Sequence, residues 1–166
     1  MRPQPCSRRR ALQLAGLVAA GTLAGCGDGE TATATATGTP GTDELDLREA
    51  NVVGVEFEAG NGSYDFDVTL HHDDDGEEGY ANWWQVERLD GTRLGRRDLA
   101  HPHSRQPFTR STTVDVPGDV TCVVVRGHDG THGYGGRVVL ANLETGETRG
   151  VMQGAEPGSF DVEDCP

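Results

Sequence analysis

The chain is 166 residues long and carries 27 acidic side chains against 14 basic ones, all arginine, for a formal net charge of −13. That length accommodates a single modest domain. The charge excludes nucleic acid as a partner, because phosphate backbones need a basic patch, and it disfavours acidic substrates.

The first element is a leader. Ser7-Arg8-Arg9-Arg10-Ala11-Leu12 fits the Ser-Arg-Arg-x-x-Leu core of a twin-arginine export signal, with Ala11 where an aromatic residue or Leu is usual. The uncharged run from Ala11 to Gly25 falls short of the ~20 apolar residues of a spanning helix and matches a signal h-region. Leu23-Ala24-Gly25-Cys26 then reads as a lipobox, in which the Cys26 thiol takes the lipid. Residues 1–25 are therefore expected to be a twin-arginine lipoprotein signal peptide. Residues 26–47, with Thr-Ala repeats from Thr31 to Thr37, read as a lipidated cysteine followed by a flexible tether. The expected location is extracytoplasmic, lipid-anchored to the outer face of the cell membrane. Cleavage removes four arginines and no acid, leaving 10 basic against 27 acidic side chains, a net −17. With no Lys and no Ile, such a surface resembles proteins of extreme halophiles, whose dense carboxylates hold water in brine.

Residues 48–153 read as β throughout. Val53, Val55 and Phe57 alternate with smaller or polar residues, as do Tyr64, Phe66, Val68 and Leu70, the period-two mark of half-buried strands. Trp83 to Leu89 meets an Asp90-Gly91 hairpin turn, and Arg93 to Leu99 returns. Phe108–Val116, Val120–Arg126, Arg137–Leu143 and Glu147–Met152 complete the set, and no amphipathic helix appears. About seven or eight short strands point to an immunoglobulin- or fibronectin-like antiparallel sandwich, with a small β-barrel as the alternative. Residues 154–166 form a C-terminal tail. Cys122 and Cys165 remain after the leader and the lipid site are set aside, and an oxidising compartment favours a disulfide between them; a buried free Cys122 with a loose Cys165 is the competing reading.

If each connection reverses the chain, all six histidines fall at one pole. His101-Pro102-His103 is extended, since a residue before proline avoids the helical region, and residues i and i+2 then face the same way. Both imidazoles could reach one zinc or copper ion, with His132 or His72 as a third nitrogen and Asp129 as an oxygen ligand or orienting group. Packed, hydrogen-bonded histidines are the competing reading. An organic ligand or glycan is a further one, recognised by Tyr80, Trp83 (or its neighbour Trp84), Arg110 and Tyr134. The acid run Asp73-Asp74-Asp75-Gly76-Glu77-Glu78 lacks the alternate spacing of an EF-hand loop and reads as solvated. No nucleophile elbow or catalytic cysteine is present, and no catalytic residue is assigned. Metal-dependent catalysis would require an open metal position with Asp129 as proton acceptor. Beyond the membrane, the small-molecule or protein partner is left open.

Several stretches resemble a family of exported bacterial and archaeal β-domain proteins: Leu99-Ala100-His101-Pro102-His103, Gln106-Pro107-Phe108-Thr109-Arg110-Ser111 and His132-Gly133-Tyr134-Gly135-Gly136. The resemblance covers about Asp65 to Leu140 and brings no activity with it. An aromatic and a His are usual in that family near Glu77 and Gly79, and an acid where Arg105 stands. With its leader and charge, the chain is similar to haloarchaeal twin-arginine lipoproteins.

Overall fold

The computed structural model describes residues 45–166. The expected signal peptide, Cys26 and nearly all of the expected tether lie outside the described residues. Eight strands follow in chain order: β1 (Asn51–Ala59), β2 (Ser63–His71), β3 (Ala81–Glu87), β4 (Arg93–Asp98), β5 (Phe108–Asp115), β6 (Cys122–Asp129), β7 (Arg137–Asn142) and β8 (Thr148–Met152). The one helical element among the described residues is a 3-10 turn at Val162–Asp164.

Two antiparallel sheets form, one of order β1-β2-β5 and one of order β4-β3-β6-β7-β8, so the chain is an all-β sandwich and not a closed barrel. Phe66, Val68 and Leu70 of β2 meet Trp84 and Val86 of β3 and Val123 and Val125 of β6 in one core. Strand β1 keeps one face on the core but changes the sequence parity of its inward positions partway along. Ala50 and Val52 point inward, an irregularity between Val52 and Gly54 inserts a residue, and from there Val55 and Phe57 take over. Gly127 of β6 leaves no room for a side chain: a Cβ there would lie 2.3 Å from the Ala50 carbonyl oxygen.

The second sheet is covered on its outer side too. Val124, Val138 and Leu140 form a small cluster with Leu89, Val151 and Phe160. The tail after β8 supplies the cover: the Phe160 amide donates to the Leu89 carbonyl at 2.9 Å, and Asn142 Nδ2 donates to the Pro166 carbonyl at 2.9 Å. Beneath it Arg126 is fully buried, its Nε 2.6 Å from Glu87 Oε2 and its terminal nitrogens donating to Gln153 Oε1 and the Gly158 carbonyl. Cys122 and Cys165 are disulfide-bonded with Cα atoms 6.2 Å apart, closing the tail onto β6. Both faces of β6 are thus out of water, which explains its nearly continuous apolar sequence.

Candidate functional site

The register places the end of β2, the start of β3, the end of β4, the start of β5 and the end of β6 at one pole, with every histidine in or beside it. Strand β6 runs to Asp129, farther than the apolar run predicts, because Trp83 pairs with His128 and Ala81 with Asp129 across an irregularity in β3. His128 and Asp129 are therefore strand residues, not loop residues.

One group gathers around Asp74. Far from being solvated with its neighbours, Asp74 is buried and adopts φ 46°, a left-handed conformation that Asp tolerates better than most residues. Its Oδ1 accepts the Ala81 amide at 3.0 Å and lies 2.8 Å from His72 Nδ1, while its Oδ2 accepts the His103 amide at 2.5 Å. One carboxylate thereby ties together the β2–β3 loop, the start of β3 and the His-Pro-His loop. His72 is buried; its Nε2–H donates to the Arg48 carbonyl at 3.0 Å and its Nδ1 accepts the Asp74 amide at 2.8 Å, so both of its ring nitrogens are engaged. Gln106 completes the anchoring. Its Oε1 accepts the His72 amide at 3.2 Å and its Nε2 donates to the His103 carbonyl at 3.2 Å.

His103 is pinned by these bonds and lies flat on Phe108, with ring centroids 3.7 Å apart. Its Nδ1 is 3.3 Å from Asp74 Oδ2, too poorly aligned to be a hydrogen bond. Burial holds its imidazole below the ordinary histidine value; the nearby Arg110 cation adds to this and Asp74 opposes it. His101 is exposed, with its ring centroid 5.1 Å from that of His103. Together they open onto a cavity of about 450 Å³ whose other walls include Ser104, Arg105, Phe108 and Arg110.

A second group sits on the outer face of the five-stranded sheet. Trp83 stacks on His128 at 4.2 Å between centroids, and the Arg96 guanidinium carbon lies 3.8 Å from the Trp83 ring centre. Both cannot share one face of the indole at those distances, so each covers one side. Tyr134 meets Trp83 and His128 edge-on, and the His128 Nδ1 is 2.9 Å from Asn82 Oδ1. Burial lowers the His128 pKa, against a smaller opposing pull from Asp129. Trp84 points into the core and is fully buried.

Asp129 shapes the neighbouring turn. Its Oδ1 accepts the amides of Thr131 at 2.7 Å and His132 at 2.6 Å, while His132 projects outward with Nδ1 3.4 Å from the same oxygen. Tyr80 is half-buried and gives its carbonyl to the Gly130 amide at 3.1 Å.

Of the residues read from sequence as metal ligands, the structure brings His72 and His103 to Asp74, and His101 beside His103. It keeps His132 and Asp129 in a separate turn. Among the described residues, no three His, Cys, Asp or Glu side chains converge on a single ion-sized point. Of the residues read as organic-ligand contacts, Arg110 lines the cavity, while Trp83 and Tyr134 belong to the stacked cluster. Asp74, Arg96, Arg105 and Phe108 carry much of the geometry, and the sequence pattern alone does not single them out. The Pro-Phe-Thr-Arg stretch next to His-Pro-His was the available signal for two of the cavity walls.

No family model matches the chain, and no solved structure matches it. Over 126 residues it is 64% identical to a protein of Halomicrobium mukohataei named "Putative lipoprotein". The match takes in 75% of this chain and 63% of that relative, so the chain spans a little under two thirds of the relative's length.

Proposed function

We propose that the chain is an exported lipoprotein, sent through the twin-arginine route and lipidated on Cys26. In this reading it presents a β-sandwich on the outer face of the cell membrane as a non-catalytic module that binds a small solute at its histidine pole. The leader motif and the name of the Halomicrobium mukohataei relative support the anchor, and the acidic, lysine-free composition supports a brine-exposed surface. The observation that carries the binding function is the cavity of about 450 Å³ beside His101 and His103. Its loop is held by the protein's own bonds to Asp74 and Gln106. Preorganisation of this kind lowers the ordering cost of binding.

A zinc or copper ion is the second reading, favoured by the closeness of the His101 and His103 rings. Glycan stacking on Trp83 draws less support, because Arg96 and His128 already cover both faces of the indole.

Two measurements test the proposal. Cys26→Ser should move the protein from the detergent-extracted membrane fraction into the medium; retention in the membrane would remove the lipid anchor from the proposal. A panel of small charged and neutral solutes, with zinc and copper salts, should include one that raises the melting temperature of wild type by a few degrees. The His101→Ala/Arg105→Ala variant should respond at least roughly threefold less. A panel with no response would remove the binding function.

A further inference from the structure

We propose that the cavity between the His101–Arg105 loop and the start of β5 is an oxyanion site, which takes a small free anion of the phosphate class. The inference rests on that cavity being the binding site.

Local charge runs against the charge of the whole. The mature chain is net −17, yet Arg105 and Arg110 line this cavity with the imidazoles of His101 and His103, and no carboxylate does. Among the described residues the arginines in ion pairs are Arg48, Arg88, Arg126 and Arg149. Neither cavity arginine is neutralised. Arg110 uses one N–H on the Thr109 carbonyl at 2.7 Å, which fixes its head and leaves its other donors for a ligand. Asp74, the acid beside His103, is itself buried, with its oxygens committed to the Ala81 and His103 amides.

The chemistry of the donors selects the ligand. Guanidinium forks match the paired oxygens of oxyanions, and bonds from a cation to an anion are stronger than neutral ones. A carboxylate is satisfied by a single fork. This cavity instead offers two guanidiniums and a Ser104 hydroxyl beside the rings of His101 and His103, a donor set suited to a tetrahedral anion with three or more free oxygens. The stacked rings of His103 and Phe108 form one wall of low polarity, against which screening by water is reduced. The volume admits phosphate with its waters or a phosphomonoester with a small organic group. A larger cavity of about 510 Å³ at the opposite pole lacks this character, because Asp90 and Asp119 line it and Asp119 already pairs with its Arg88.

The test is calorimetric titration of the full chain in detergent at fixed ionic strength, with sodium chloride as background. The probes are inorganic phosphate, glycerol 3-phosphate, acetate, zinc chloride and glucose. Phosphate or glycerol 3-phosphate should bind saturably at one site and more tightly than acetate, and whichever binds tighter identifies a free or an esterified ligand. Arg105→Ala/Arg110→Ala should weaken that binding at least about tenfold. Arg105 is exposed and Arg110 partly so, and the paired Lys variant, which keeps charge without the fork, should fall between. Phosphate binding unchanged in the Ala variant would overturn the location. If zinc or glucose binds, is lost on His101→Ala, and phosphate gives no saturable heat, the oxyanion class falls while the cavity stands as a binding site. Silence from every probe would overturn both.

Discussion

The histidine pole is organised by individual residues whose neighbours decide their chemistry. Asp73, Asp74 and Asp75 are identical in sequence, yet only Asp74 turns inward and joins three segments through one carboxylate. His103 and His128 are both held below the ordinary histidine value, mainly by burial. The unfolded chain therefore takes up protons near the ordinary histidine pKa of about 6.5 that the folded chain refuses. These residues contribute their full stability above that pH, and the contribution is lost as pH falls through the lower folded-state values. The melting temperature should drop by roughly a few degrees between about pH 7.5 and about pH 5. His128→Gln should lower the starting value, because it removes the stack on Trp83, but should flatten the slope. An equally steep slope in that variant would show that His128 does not contribute to the linkage.

At the scale of elements, the strands were legible because period-two alternation follows directly from pleat geometry, and Asp90-Gly91 marked its hairpin. The shift of parity in β1 was not, since an inserted residue leaves Val52, Val53 and Val55 equally apolar in sequence and only pairing with β2 reveals which point inward. The placement of histidines at one pole followed from strand direction alone. Their division into an Asp74 group and an Asp129 turn depends on side-chain bonds that spacing does not encode. Nor did the tail announce its role. Arg126 at the end of an apolar run looks like a strand leaving the core, whereas the segment from Gln153 onward folds over it and buries it against Glu87. The disulfide holds that cover across a sequence separation of 43 residues. On chain entropy, a loop of that size is worth roughly 3–4 kcal/mol. Cys165→Ser should lower the unfolding free energy by about 2–4 kcal/mol in urea melts, and reductant should shift wild type but not the variant. A variant as stable as wild type would show that apolar contacts and the Arg126 bonds hold the tail without the crosslink.

Across the whole molecule, charge is distributed unevenly, and that sets how the protein responds to salt. The outer face of the three-stranded sheet places Glu56 opposite Asp67 and Glu58 opposite Asp65. Facing them on β5 are Ser111 and Thr113, whose hydroxyls donate to Asp67 and Asp65, so no cation relieves the four carboxylates from that strand. Like charges directly across a ladder repel, each pair by an amount on the order of 0.2–1 kcal/mol. Salt removes that repulsion, because the screening length shrinks from ~10 Å at ~0.1 M to ~3 Å at ~1 M. The melting temperature of wild type should therefore climb steadily with sodium chloride. Glu56→Gln/Glu58→Gln should melt roughly 1–4 °C higher than wild type at low salt, with the gap closing above ~1 M. A gap that persists in strong brine would mean that the glutamines stabilise by packing or β-propensity and that the acidic face carries little electrostatic penalty. The same screening acts far less on the Asp74 carboxylate, because it is buried and its partners are within hydrogen-bond distance. Salt should thus retune the acidic face while leaving the histidine pole in place, and a cavity built for an anion keeps its shape in the medium that screens the rest of the surface.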